Sequence, residues 1–181
     1  MFKRSKPQTA QSQSQPPQKV PDEVGMGLRV YTFNYVITGR AMPGGALVGW
    51  LNILNKKVLV LHQAQVTSLS PDSPLRPAAL PQVTLPKRQI IAIEVLDGQQ
   101  IVRLEPRQVP VAIYTARFAI RAELRPPAAA PVEHFFNLLT GIFFPVTDAR
   151  LHPMIPTRPL DNQQVKLLIL NRERIDFYHT L

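Results

Sequence analysis

The amino-acid sequence predicts a mainly β (α+β) fold: two tandem small β-rich units, each with one short helix, packed as a pseudo-two-fold pair. Three observations predict it. Proline accounts for 19 of 181 residues, roughly twice the ~5% typical of proteins. It fixes φ and lacks the N–H that helix interiors and central strands need, so the chain is rich in loops. Runs of β-branched and aromatic residues with partial alternation recur between those loops, as strands do. Finally, the sequence repeats itself. Asn52, Leu54 and Ala64 recur as Asn137, Leu139 and Ala149, an offset of 85 residues. The same offset relates Leu85 and Ile90 to Leu170 and Ile175, across the variable loop that separates the two segments. Tyr31 and Tyr114 pair at an offset of 83, the difference being absorbed by the Pro-rich loop at 126–131.

The elements follow in order. Residues 1–27 are rich in Gln, Ser and Pro; so polar a segment has too little apolar surface to offset its ordering entropy, and a disordered tail is expected. Residues 28–98 form the first unit, 99–110 a linker with a bridge strand at Gln100–Leu104 after an Asp97-Gly98 turn, and 111–181 the second unit. Each unit opens with a β-rich stretch, Leu28–Arg40 and Val111–Leu124, closed by a Pro- or Gly-bearing loop. Leu47, Trp50, Leu51 and Leu54 then recur at helical spacing, as do Val132, Phe135, Phe136 and Leu139, which predicts one short helix with an apolar face. A strand follows at Val58–Leu69 and Ile142–Leu151. A hairpin-like pair ends each unit: Gln82–Leu85 into Gln89–Leu96, and Val165–Leu170 into Arg174–Tyr178. Units of this size have thin cores and exposed strand edges, so fusion is expected to cover both.

Two resemblances accompany these segments. The pieces Asn137-Leu-Leu139, Val146-Thr-Asp-Ala-Arg-Leu151 and Leu168-Ile-Leu-Asn-Arg-Glu-Arg-Ile175 resemble an uncharacterised bacterial domain-of-unknown-function family. Asn52-Ile-Leu54, Leu61-His-Gln-Ala-Gln-Val66 and Leu85-Pro-Lys-Arg-Gln-Ile90 form a looser copy of that pattern. The resemblance covers most of residues 30–180 and implies no activity. Leu85–Glu94 is also similar to the second motif of Sm-like small β-barrels, with Pro86-Lys87 and Asn171-Arg172 in place of that motif's Arg-Gly pair. RNA binding does not carry over from it.

The chemistry expected is sparse. The chain has no cysteine, which excludes disulfides and thiolate chemistry. Its four histidines, His62, His134, His152 and His179, show no metal-ligand spacing and are not preserved between the units, so no metal or cofactor is expected. Glu123, Glu133, Asp148 and Asp176 are acid–base candidates only by being acidic, with Asp148 expected to cap or turn a strand end. No phosphate-loop, dinucleotide or nucleophile-elbow motif occurs. No apolar run approaches a membrane span, and a cytoplasmic location is the default. The net charge of +9 is spread along the chain, at +2, +4, +1 and +2 over the four segments above. Basic pairs are the one suggestive feature: Lys56-Lys57, Lys87-Arg88, and Arg172 with Arg174 in the second unit. Clustered on one side they would suit phosphates. Trp50, Phe135 and Phe136 are read as core from their helical register. The expectation is therefore a non-catalytic interaction or structural module that presents a surface to a protein partner. The rival is a nucleic-acid-binding regulator using the basic residues.

Overall fold

A computed structural model describes residues 25–97, 105–127, 131–160 and 164–181. Of the expected tail at 1–27, residues 1–24 lie outside these residues, as does the bridge strand at 100–104; Met26 and Gly27 belong instead to the first strand, where they pair with Ala41 and Arg40. The described chain is mainly β: ten strands in one antiparallel sheet, with short helical turns. The first half runs β1 (Met26–Thr32), β2 (Tyr35–Ala41), helix α1 (Leu47–Leu51), β3 (Val58–Ser68), β4 (Ala78–Pro86), a 3-10 turn at Lys87–Gln89 and β5 (Ile90–Val95). The second half runs β6 (Val109–Thr115), β7 (Phe118–Leu124), a 3-10 turn (Val132–His134) leading into α2 (Phe135–Leu138), β8 (Phe143–Pro153), β9 (Gln164–Asn171), a 3-10 turn at Arg172–Arg174 and β10 (Ile175–Thr180).

The local devices recur as well. Thr32 Oγ1 donates to the Tyr35 carbonyl and accepts from the Tyr35 N–H, closing the β1–β2 turn. Thr115 does the same to Phe118 between β6 and β7. Two non-glycine residues adopt left-handed backbone, Gln63 at φ 48° and Asp148 at φ 50°. They sit at the same place in β3 and β8, beside the register shifts in the β2·β3 and β7·β8 ladders. A bulge of this kind adds a residue and sharpens the local bend of the strand. Asp148 therefore lies inside a long strand and does not end one.

Three expectations need correction. The predicted helical faces shrink to α1 and α2, five and four residues long; neither has a side-chain N-cap, and so short a helix rests on the packing of its apolar face. Leu47 and Leu51 are buried while Leu54 is out in solvent. Next, the closing pairs are not hairpins. β4 pairs only with β3, whereas β5 pairs with β1 and β9. The intervening 3-10 turn redirects the chain from one end of the five-stranded order to the other, and β9 and β10 are separated in the same way. Last, the halves do not meet as a two-fold pair. A two-fold contact sets the same patch of each unit against itself. Here β5 of the first half lies against β9 of the second, giving the order β10-β6-β7-β8-β9-β5-β1-β2-β3-β4, a head-to-tail joint.

That joint divides the core. Leu28, Val30, Ile90 and Ile93 pack with Leu47, Leu51, Leu59, Leu61 and Leu85 in one cluster. Tyr31, Ile91 and Ala92 join Phe118, Ile120, Phe144 and Leu168 in the other. Neighbours such as Val30 and Tyr31 point to opposite faces of a strand, so β1 and β5 form a wall with a core on each side.

Candidate functional site

The head-to-tail joint is the best-built feature of the molecule. Its ladder pairs Ala92 with Leu170, Ile93 with Ile169 and Glu94 with Leu168. Polar side chains clamp its end. The Asn52 amide, just after α1, donates to the Phe143 carbonyl and accepts from the Phe143 N–H, both at 2.8 Å. Gly141 leaves room for it, since a Cβ there would come within 2.4 Å of the Asn52 amide nitrogen. Asn171, only 1% exposed, donates to the Ile90 carbonyl at 2.9 Å and accepts from its own turn at Glu173 N–H. Arg174 reaches across to the Arg88 carbonyl. At the other side of the joint, Glu94 accepts from Tyr31 Oη at 2.9 Å and from Arg29 at 3.0 Å. Burial, then the Glu94 charge, pushes the Tyr31 hydroxyl well above its ordinary pKa. Burial pulls the Arg29 pKa down, but Glu94 and then Tyr31 outweigh it, and the net shift is upward.

A cleft of about 470 Å³ opens beside the clamp. It brings together four of the six predicted basic residues, Lys56, Lys57, Lys87 and Arg88, with apolar walls from Ile53, Leu54, Ile142 and Phe143. Lys87 is not a solvated turn residue: it is 8% exposed, and its ammonium donates to the Leu51 carbonyl at 2.6 Å. A cation satisfies a free carbonyl at the end of α1 in this way. Burial, then Lys56 and Lys57, lower the Lys87 pKa. The Lys56 and Lys87 ammonium groups lie 5.6 and 5.7 Å from the Trp50 ring centroid, within cation–π range. Among the described residues, none of the four cations forms an ion pair. Arg172 and Arg174 do not join them as free charges: Arg172 donates to the Leu139 carbonyl at 2.7 Å, and Arg174 spans the joint.

The two ends of the sheet present the remaining surface. β4 is exposed along most of its length, and so is β10, where Phe177 is 58% exposed. Their counterparts in the joint, β9 and β5, are largely covered. A second, more open cleft at the β10 end is lined by Phe136, Asn137, Arg172, Glu173, Asp176 and Phe177. Among the described residues, no group of three His, Asp or Glu side chains is placed to hold a metal, and no helix is long and apolar enough to cross a membrane.

Sequence reasoning singled out the lysines but missed the clamp. The signal was there in the identity of Asn52 and Asn137 across the repeat, yet an asparagine match carries no partner until the register of two strands is known. Comparison with protein families, curated proteins and solved structures finds no match to this chain.

Proposed function

We propose that this protein is a non-catalytic structural module that binds protein partners along the two edges of its sheet. The observation that carries the reading is the pairing of β5 with β9 inside the chain while β4 and β10 remain outermost. An outermost strand offers a row of main-chain donors and acceptors to an incoming strand. Edge strands are commonly blunted by charge and by proline; β4 carries no charged side chain and keeps Gln82–Leu85 free of proline between Pro81 and Pro86, and Leu80 on β4 and Phe177 on β10 are exposed apolar residues. The test is a photo-crosslinking residue placed at Leu80 or Phe177 in native cells. Protein adducts at both edges, absent when the probe sits at Ser73 in the loop before β4, support the reading. Absence of adducts at either edge contradicts it.

A second reading keeps nucleic acid as the partner, because Lys56, Lys57, Lys87 and Arg88 line one cleft in which the one acidic side chain among the described residues, Glu173, forms no ion pair with them. Fluorescence anisotropy with labelled RNA and DNA at about 50 and 200 mM salt tests it, since phosphate contacts weaken steeply with salt. Affinity that is salt-steep and lost on reversing those charges supports it; no binding at low salt removes it.

A further inference from the structure

We infer that the partner at both edges is a second copy of this chain, joined β10 to β4 in the register of the internal joint. The inference rests on the edge-binding reading above and names its occupant. The internal contact is head-to-tail, and a contact of that kind leaves its two complementary surfaces free at the outer ends, where they can continue into a ring or a fibre.

The sequence offset supplies the geometry. Adding 85 to Ala92, Ile93 and Glu94 gives Phe177, Tyr178 and His179; subtracting it from Leu170, Ile169 and Leu168 gives Leu85, Thr84 and Val83. The joint between chains therefore sets Phe177 against Leu85, Tyr178 against Thr84 and His179 against Val83. Those three β4 residues fall between Pro81 and Pro86, in a stretch free of proline where Thr84 turns its N–H away from β3. Phe177, in the place of fully buried Ala92, is the large apolar side chain such a joint would cover.

The clamp transfers too. Asn137 stands where Asn52 does, and Val58 stands where Phe143 does. Asn137 is exposed, lines the open cleft at the β10 end, and has no side-chain hydrogen bond among the described residues. In the joint between chains its amide takes the Val58 main chain of the second copy, as Asn52 takes Phe143. Lys56 occupies the place of Gly141, so this second clamp seats beside a lysine side chain and is looser than the first. Charge favours the match. The β10 end brings Asp176, and the β4 end brings Lys57 and Arg88 beside Val58 and Pro86, in a cleft that Glu173 of the same chain also lines.

The chain's lack of cysteine makes disulfide trapping a clean test. Single variants Thr84→Cys and Tyr178→Cys of the full chain are mixed and mildly oxidised. Directly opposed Cβ atoms lie about 4.5–5.5 Å apart and diagonal ones about 7–8 Å, so a disulfide, which needs about 3.5–4.5 Å, reports register. The expected result is a heterodimer from Thr84→Cys with Tyr178→Cys, and none from Thr84→Cys with Thr180→Cys. Val83→Cys with His179→Cys is the second pair, independent of the packing of Tyr178 on Phe136. Asn137→Ala is expected to weaken self-association about tenfold or more, the loss of one to two hydrogen bonds. Equal trapping at Thr180 overturns the register. A monomer with no trapping by either pair overturns the inference; if the edge probes still capture other proteins, the edge-binding reading survives that failure.

Discussion

Replacing Asn52 by alanine removes both hydrogen bonds that tie α1 to the start of β8. Phe143 is buried, so its main-chain N–H and carbonyl lose their partner without gaining full access to water. Each buried group left unsatisfied costs about 1–3 kcal/mol, and partial access of water to the vacated space holds the expected loss for the two groups to about 2–4 kcal/mol. That is a large part of the ~5–15 kcal/mol that holds a domain folded. With a urea slope of about 2 kcal/mol per molar, the middle of the usual range, the midpoint falls by about 1–2 M. The single tryptophan of the chain, Trp50, lies on α1 two residues from the substitution and reports the transition by its fluorescence. Asn137→Ala is the matched control. At concentrations where the chain is monomeric it removes an exposed amide, and its cost stays within about 0.5 kcal/mol. Equal losses for the two variants would refute the reasoning, because they would place the energy in the helix end itself and not in the joint.

Other outcomes follow from the same contacts. Gly141→Ala puts a Cβ against the Asn52 amide and is expected to cost about 1–3 kcal/mol in urea unfolding by displacing the clamp, a loss that disappears in the Asn52→Ala background. Tyr31 has a raised pKa in the folded state, from burial and then Glu94. Its contribution to stability is complete below its unfolded pKa of about 10 and is lost as the pH rises above that. The wild-type midpoint therefore falls more steeply above pH ~10, by up to about 1.4 kcal/mol per pH unit. Tyr31→Phe lowers stability at neutral pH by about 1–3 kcal/mol, since Glu94 loses a buried donor, and flattens that alkaline slope; an unchanged slope would assign it elsewhere. Asn171→Ala, at a site buried across the joint, is expected to lose about 2–3 kcal/mol, read by the same urea titration.

Much of the strand content was legible because alternation and proline placement are local. The stretches at Leu28–Arg40 and Val111–Leu124 each become two strands joined by a tight turn, which Thr32 and Thr115 close by side-chain bonds that no glycine or proline announces. The sequence pattern also suggested hairpins at Gln82–Leu96 and Val165–Tyr178, and here it misled. A 3-10 turn of three residues looks like a hairpin loop in sequence, and only the ladder partners, β1 and β9 for β5, reveal the crossing. Lys56, Lys57, Lys87 and Arg88 were legible as basic pairs, but the burial of Lys87 beneath Trp50 was not, because it depends on where the α1 carbonyls end. The repeat itself was visible, whereas its head-to-tail joint is set by which edge each unit leaves free, a property of the assembled sheet.

The most direct test of the account is sedimentation velocity of the full chain across a wide concentration range, beside variants Thr84→Pro and Tyr178→Pro, each of which removes a main-chain donor that faces away from the inner neighbour of its outer strand. The account predicts concentration-dependent association of the wild type, with both single variants monomeric and folded by circular dichroism. Mixing the two variants restores no more than a dimer, since each keeps one intact edge. A wild-type chain that stays monomeric at every concentration, or proline variants that associate as the wild type does, would contradict it.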